Sequence, residues 1–389
     1  MKLLLVDEEI IAGGVETLRF QLLPELARLC ESVVWALPEF ICAKFRERLR
    51  GVPNLVLESL SAPSASAAGF AHALARRLPR GLAGRLTRRL LEARVRTLAR
   101  RHGSTHALTT CVFNQPLPRL ALPIAGFVCD VNPALPEATR RNILRWVREA
   151  DATFGISEFT CAELRRQAPE CAAKIHPIPL AAPPFSAPAT ASDPRFDFYF
   201  PAAPNPHKAH ATLFAACLQL AQRGLDFRLA LSGPGIAGFR PGGSFADPRM
   251  DAARRFLAEH AALLDPRIVV CGDVPPEKVE ALFNGARCVV LPSTYEGFGL
   301  PLVEVLRRGS EIICTDIPPF REQLERYDSF DRARLVATGD ATQLAAAMEQ
   351  QLRAPLPPLP REKLDARLAR WAWPDAARRC FDLLAALSP

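Results

Sequence analysis

An α/β fold with two parallel sheets is the class this sequence predicts, on three observations. Short apolar runs alternate with longer stretches whose apolar residues recur at helical spacing, as strands do with crossover helices. That alternation occurs twice, separated at residues 180–194 by a stretch rich in Ala, Pro and Ser that has the composition of a linker. The length of 389 residues is that of two ordinary domains.

In the first half the strand candidates are residues 3–6, 32–35, 55–57, 107–112, 124–129 and 153–156. Gly13 and Gly14 stand ahead of the first helical stretch. Residues 76–101 hold ten arginines (76, 77, 80, 85, 88, 89, 94, 96, 100 and 101) and one acid, Glu92. Leu82, Leu86, Leu90, Leu91, Val95 and Leu98 recur within the segment at helical spacing, so it reads as a basic amphipathic helix. Such a helix can lie on an anionic membrane, at ~1 kcal/mol per basic residue near the surface. Its leucines can equally pack on a core and leave the arginines solvated. A nucleic-acid surface is disfavoured, because no aromatic residues interleave the arginines to stack on bases.

The second half offers strands at 196–200, 227–232, 268–271, 288–292 and 311–314, and a helix over 371–387. The Gly- and Pro-rich insert 233–248 predicts a flexible loop. It contains Gly233-Pro-Gly-Ile-Ala-Gly238, a literal GxGxxG after a strand. A dinucleotide site would need a helix there and an acid about 20 residues on, whereas Pro241-Gly-Gly243 breaks any helix. NAD binding is set aside.

Composition agrees with a globular enzyme: 49% hydrophobic, 23% charged, and no apolar run long enough to span a bilayer. The first residues lead straight into a strand, so no signal peptide is expected. Eleven scattered cysteines without a CxxC pair argue for a reducing cytosol and against a disulfide framework or zinc site. The net charge of +8 belongs entirely to residues 1–190, with 25 basic against 17 acidic side chains; residues 191–389 balance at 24 and 24.

The segment that carries the chemistry is Glu296-Gly-Phe-Gly-Leu-Pro-Leu-Val-Glu304. It follows a buried-strand pattern and opens a helix expected from Leu300 to Arg308, with Pro301 in the first turn and Gly309 at the stop. Gly297, Phe298, Gly299 and Leu300 thus present free N–H groups at a helix N-terminus beyond a strand's carboxyl end, where an anion such as a diphosphate can bind. Glu296 lies before the helix and Glu304 about one turn in, and helical side chains lean toward the N-terminus. Both carboxylates can then face one crevice and accept hydrogen bonds from a sugar diol. The same segment also suits an ordinary capped surface helix.

These residues resemble the signature of the family-4 glycosyltransferases, which are retaining enzymes. The resemblance covers Pro292-Ser293-Thr294-Tyr295-Glu296 through Glu304, Thr315-Asp-Ile-Pro-Pro-Phe-Arg-Glu322, Gly272-Asp-Val, Gly339-Asp340, the loop Asn205-Pro-His-Lys208 and Gly13-Gly14-Val15-Glu16. It points to the subgroup with a Pro-His-Lys donor loop and is tightest from Val269 to Gln323. It implies a GT-B fold, with two Rossmann-like parallel-sheet domains facing a central cleft. Those domains would be an acceptor domain (1–183), a donor domain (184–370) and a final helix (371–389) crossing back to the first.

The resemblance further implies a donor that is a nucleotide-diphospho-sugar, GDP- or UDP-linked, with no cofactor and no metal. Glu296 would meet the donor sugar hydroxyls and Glu304 the ribose. The backbone at Asp273 and Val274 would meet the base. Lys208 would place a point charge on the diphosphate, with His207 adding a hydrogen bond. Gly13, Gly14 and Gly233 would approach the donor closely. The acceptor would be a glycan or lipid-linked sugar at the cytosolic membrane face, and the class is that of surface polysaccharide or glycolipid synthesis. Two positions depart from the pattern. Cys129 stands where relatives often carry His ahead of Asp130, so Asp130 is a weaker catalytic candidate. Ala203 stands where many relatives carry Arg. A nucleotide-sugar epimerase or phosphorylase, an inactive nucleotide- or glycan-binding protein, and a glycosidase using Glu296 and Glu304 remain as alternatives.

Overall fold

The computed structural model describes residues 1–8, 14–61, 80–183, 196–357 and 359–388. The chain divides into two compact units: unit 1 is Met1–Ala181 with Ala372–Pro389, and unit 2 is Ala182–Trp371. Much of the linker-like stretch 180–194, together with Gly13, Arg76 and Arg77, lies outside the described residues.

Unit 1 runs β1 (Lys2–Val6), α1 (Gly14–Leu29), β2 (Ser32–Leu37), α2 (Glu39–Arg48), β3 (Leu55–Ser59), α3 (Arg80–Arg101), β4 (His106–Thr109), β5 (Ile124–Val128), α4 (Glu137–Glu149), β6 (Ala152–Gly155), α5 (Glu158–Gln167) and β7 (Ile175–Pro177). Its described strands form a seven-stranded sheet ordered β3-β2-β1-β4-β5-β6-β7, with every pairing parallel. Leu3, Leu4, Leu5 and Val6 are all fully buried, as a parallel strand covered on both faces requires.

Unit 2 continues with β8 (Phe196–Pro201), α6 (His210–Gln222), β9 (Leu229–Ser232), α7 (Asp251–Glu259), α8 (Ala261–Leu264), β10 (Ile268–Gly272), α9 (Pro276–Asn284), β11 (Ala286–Leu291), α10 (Leu300–Leu306), β12 (Glu311–Thr315), α11 (Pro318–Arg326), β13 (Ala333–Val336), α12 (Ala341–Arg353) and α13 (Arg361–Leu368). Its described strands form a six-stranded parallel sheet ordered β10-β9-β8-β11-β12-β13. The last helix, α14 (Trp373–Ala385), belongs to unit 1 and packs on α1. Arg379 Nε also donates to Pro177 O at 2.6 Å, and His106 Nε2 lies 3.3 Å from Leu387 O.

Several expectations need correction. The strands at 107–112, 124–129 and 153–156 shift or shorten by one to three residues, because the apolar runs continue into loops. β7 and β13 have no counterpart in the sequence reading. Both are edge strands, and neither has a clear apolar pattern: β7 ends in Pro177, and β13 carries Arg334 mid-strand. The insert 233–248 is no loose loop. It folds into a 3₁₀ turn at Ile236–Phe239 with Ile236 and Phe239 buried, and Phe245 packs edge-on against Phe239 at 4.7 Å.

One face of the basic helix is committed to the core of unit 1. Val95 and Leu98 of α3 are buried beneath β1 and β2 with Leu4, Val6, Val34 and Ala36, and Leu91 packs against the same cluster. Arg88 donates to Glu92, Glu8 and the carbonyls of Pro116 and Leu117. Arg94 binds Ser59 O and Glu58. Part of the apolar stripe and two of the arginines therefore hold unit 1 together.

Gly126 in β5 shows how tightly this unit is packed. A Cβ there would fall 2.5 Å from Val112 Cγ1 and 2.9 Å from Trp146 Cε3. Gly126→Ala is expected to lower stability by about 1–3 kcal/mol through overpacking. An unchanged urea midpoint in a titration followed by tryptophan fluorescence would contradict the packing described.

Candidate functional site

Parallel pairing puts the carboxyl ends of all unit 2 strands on one rim, the place where ligands bind in α/β sheets. The loop after β8 carries Asn205, His207 and Lys208; the loop after β9 starts at Gly233. The loop after β10 holds Asp273 and Val274, and the loop after β11 holds Ser293 to Gly299. Because β8 pairs with β11, the first and last of these loops are neighbours. Thr294 N donates to His207 O at 2.7 Å and joins them. Asn205 Oδ1 accepts from His207 N and holds the turn that projects Lys208.

Across that junction Lys208 Nζ reaches Glu296 Oε1 at 2.7 Å, with side chains 20% and 10% exposed. An ion pair this far out of water has its charges partly desolvated and relies on mutual contact. Lys208 nevertheless keeps two further N–H donors and Glu296 a second oxygen. Beside the pair, Gly299 adopts φ +88°, and a Cβ there would lie 2.7 Å from the Phe320 ring. The helix starts with Leu302 N donating to Gly299 O at 2.9 Å. Among the described residues this leaves the N–H groups of Phe298, Gly299 and Leu300 without a partner. α10 is seven residues long, shorter than expected, so the local N–H groups matter here more than any helix dipole.

Glu304 sits one turn into α10 and is half-buried. Burial raises its carboxyl above the usual range, against the opposing charges of Arg307 and Arg308. Both arginines bind Glu280, and Arg308 also donates to Glu304 O and Asn284 Oδ1. The Tyr199 hydroxyl, 2.6 Å from Ser232 Oγ, is raised above its usual range by burial, and the Glu304 charge raises it further. His207 is pushed down to about 4 by burial and then by Lys208. His210, 1% exposed, is boxed by the rings of Phe200, Phe214 and Phe239. Burial takes its imidazole down to about 3.

Toward the other edge, Gly233 adopts φ +147°, and a Cβ there would meet Ala202 C and O at 2.8 Å. Only glycine lets the end of β9 close on the β8 loop, and Gly233 N donates to Gly272 O at 3.1 Å. Asp273 is exposed and Val274 half-buried beyond that point. The sequence reading missed Arg240, which folds back onto this corner: Nη2 donates to Val270 O at 2.9 Å and to Cys271 O at 3.1 Å. Its signal was weak, a single arginine inside an insert taken for a loop.

Unit 1 contributes its own rim. Asp7 and Arg19 are 0% and 1% exposed and lie 3.3 Å apart. Asp7 also accepts from Trp35 Nε1 (2.9 Å), Thr110 N (2.9 Å) and Thr110 Oγ1 (2.8 Å), and Arg19 Nε donates to Thr110 Oγ1 at 2.7 Å. The sequence reading missed this pair too, because Asp7 opens the acidic run Asp7-Glu8-Glu9 and Arg19 sits in an ordinary amphipathic helix. Cys129 Sγ lies 3.6 Å from Thr110 O. The Cys111 thiol and burial push Cys129 well above its usual range, so it stays a neutral thiol. Asp130 Oδ1 accepts from Asn132 N at 2.8 Å, an Asx turn. Gly14 opens α1 and is exposed, whereas Gly13 is outside the described residues.

The two parallel-sheet α/β units have the GT-B architecture found in solved structures across the full chain. The sucrose-phosphate synthase of Thermosynechococcus elongatus matches with a TM-score of 0.68 at 18% identity, covering 98% of each chain. Anabaena HepE in complex with UDP and glucose matches with a TM-score of 0.70 at 15% identity, covering 100% of each chain. Residues 186–370, just under half of the chain, match the family described as Glycosyl transferases group 1. The serotype-specific mannosyltransferase WbdA of Escherichia coli is 28% identical over 122 residues, 31% of this chain and 14% of that protein. The O-antigen chain mannosyltransferase B of Escherichia coli is 41% identical over 51 residues, 13% of each. The matched stretches thus span about one seventh of these relatives' length.

The buried histidine gives a pH dependence of known sign. His210 has a depressed folded value, so its contribution is complete above the unfolded value near 6.5 and is lost as pH falls toward 3. His210→Phe is expected to lose about 2 kcal/mol less than the parent protein between pH 7 and pH 5. Equal losses in urea titrations at the two pH values would show that His210 is not held neutral.

Proposed function

We propose that this protein is a retaining glycosyltransferase. It would move a sugar from a GDP- or UDP-linked donor to a glycan or lipid-linked acceptor in surface polysaccharide or glycolipid synthesis. The observation that carries the reading is the Lys208–Glu296 contact of 2.7 Å, set beside the unpartnered N–H groups of Phe298, Gly299 and Leu300 on the unit 2 rim. The group 1 match over residues 186–370, the short stretches of likeness to two mannosyltransferases and the UDP held by HepE support it.

A diphosphate is a good leaving group once its charge is met. In this reading its oxygens take the free donors of Lys208 and the N–H groups beside Gly299, with His207 adding a neutral contact. Glu296 turns its second oxygen to the donor sugar hydroxyls, and Glu304 accepts from the ribose diol. Asp273 and Val274 offer backbone to the base, and Gly233 lets the donor approach. The acceptor oxygen forms the new bond to the anomeric carbon as the bond to the phosphate oxygen breaks. The acceptor proton passes to the departing diphosphate, and the anomeric configuration is retained. The chain's own residues supply these contacts without a cofactor or metal, and Asp130 is assigned to the acceptor side in unit 1.

We place the reaction at the cytosolic membrane face. Among the described residues no helix is long and apolar enough to cross a membrane. Arg96 and Arg100 line one small cavity and Arg88, Arg89, Arg119 and Arg145 another, each of about 290 Å³. In this reading Arg89, Arg100 and Arg119 would meet anionic headgroups. One observation favours a second reading, a protein that binds donor without turnover: Cys129 is a neutral thiol and cannot supply an imidazole's donor and acceptor together.

The test is nucleotide release from GDP- and UDP-linked sugars, with the product's anomeric configuration read by NMR. Lys208→Ala is expected to lower turnover by about two orders of magnitude without changing the fold. Nucleotide binding without release from any donor would favour the second reading, and an inverted product would exclude the retaining mechanism. Separately, Arg89→Glu with Arg96→Glu and Arg100→Glu should abolish flotation with anionic vesicles. Equal flotation would remove α3 from the membrane reading.

A further inference from the structure

We propose that Arg240 reads the donor's base and selects bases with carbonyl acceptors, guanine or uracil, over adenine. The proposal rests on the nucleotide-sugar reading above and deepens it.

Arg240 is held in place at both ends. Its backbone leaves the 3₁₀ turn Ile236–Phe239, which two close approaches lock. A Cβ on Gly238 would fall 2.3 Å from the Phe245 ring, and one on Gly243 would fall 2.5 Å from Gly238 O. Its guanidinium is pinned by Nε donating to Val270 O at 3.3 Å and Nη2 donating to Val270 O and Cys271 O at 2.9 and 3.1 Å. Those carbonyls are available because β10 is an edge strand whose register shifts between Val270 and Gly272. A Cβ on Gly272 would lie 3.1 Å from Nη2, so the fork covers the residue that leads into Asp273 and Val274.

What is left over is directional. Among the described residues the two Nη1 hydrogens have no partner and Arg240 forms no ion pair, and the side chain is exposed. A planar cation with fixed position and two spare donors suits a rigid acceptor edge. Its place along the rim suits a base better than a phosphate. β10 lies two strands from β8, on the order of 10 Å at the usual strand spacing. A nucleotide sugar with its diphosphate at Lys208 would carry its base to that end. Guanine offers O6 and N7 as acceptors and uracil its two carbonyl oxygens, whereas adenine presents an amino group that would oppose the Nη1 donors.

The experiment is calorimetric titration of the full chain with GDP, UDP and ADP, repeated for Arg240→Ala, Arg240→Lys and Glu304→Ala, with circular dichroism to check folding. The parent protein is expected to bind GDP or UDP at least about tenfold more tightly than ADP. Arg240→Ala should bring that ratio to within about twofold while leaving ADP affinity nearly unchanged. Arg240→Lys can still bridge the strand-edge carbonyls but has no equivalent of the outward Nη1, so it should lose the ratio as well. Glu304→Ala should weaken all three nucleotides alike, since each has the ribose. A ratio preserved in Arg240→Ala, equal weakening of all three nucleotides in it, or a parent preference for ADP would overturn the proposal. Failure of the parent protein to bind any nucleotide would instead overturn the nucleotide-sugar reading beneath it.

Discussion

β8 is a central strand of unit 2, paired in parallel with β9 on one side and β11 on the other, and the rim of that unit depends on this pairing. Phe198, Tyr199 and Phe200 are fully buried in it, so the strand can neither slip nor shift its register without exposing one face. With β8 fixed, its following loop must lie beside the loop after β11. The Thr294–His207 hydrogen bond and the Lys208–Glu296 pair follow from that placement. On the other side Gly233 can close against Ala202 only because it has no Cβ. The rim is thus a consequence of sheet order, and its charged groups are held by backbone that has little freedom to move.

The electrostatics of the rim divide its acidic groups by environment. Glu296 is matched by a lysine at contact distance. Glu304 is half-buried, and its carboxyl is raised despite two nearby arginines, which are themselves committed to Glu280. A ligand hydroxyl that donates to Glu304 would stabilise its charged form and offset the burial cost. His207 and His210 are both depressed by burial next to Lys208, so the ammonium is the dominant positive charge in this corner. A negatively charged ligand would draw on the two ammonium hydrogens that Glu296 leaves free.

Unit 1 shows how much of a basic sequence can be structural. In sequence α3 reads as a basic amphipathic helix with a single acid, Glu92. Arg88 and Arg94 instead thread back to Glu8, Glu58, Glu92 and loop carbonyls, while Val95 and Leu98 enter the core. The buried Asp7–Arg19 pair likewise ties the end of β1 to Thr110 and Trp35. Buried pairs of this kind stabilise little in net terms but specify geometry. Here the geometry is that of the strand ends where Cys129 and Asp130 also sit.

Local pattern alone determined the fold class, most strand positions in both sheets and the segment from Glu296 to Glu304 as a strand-to-helix turn. Those features depend on apolar periodicity, glycine and proline, which act within a few residues of chain. Edge strands β7 and β13 were illegible because their pattern is short and broken by Pro177 or Arg334. Tertiary structure alone decided that Lys208 meets Glu296 across 88 residues, that Asp7 meets Thr110 across 103, and that Arg240 leaves a Gly- and Pro-rich insert to clamp β10. Each of these contacts joins segments brought together by sheet order, and no local pattern encodes which strands become neighbours.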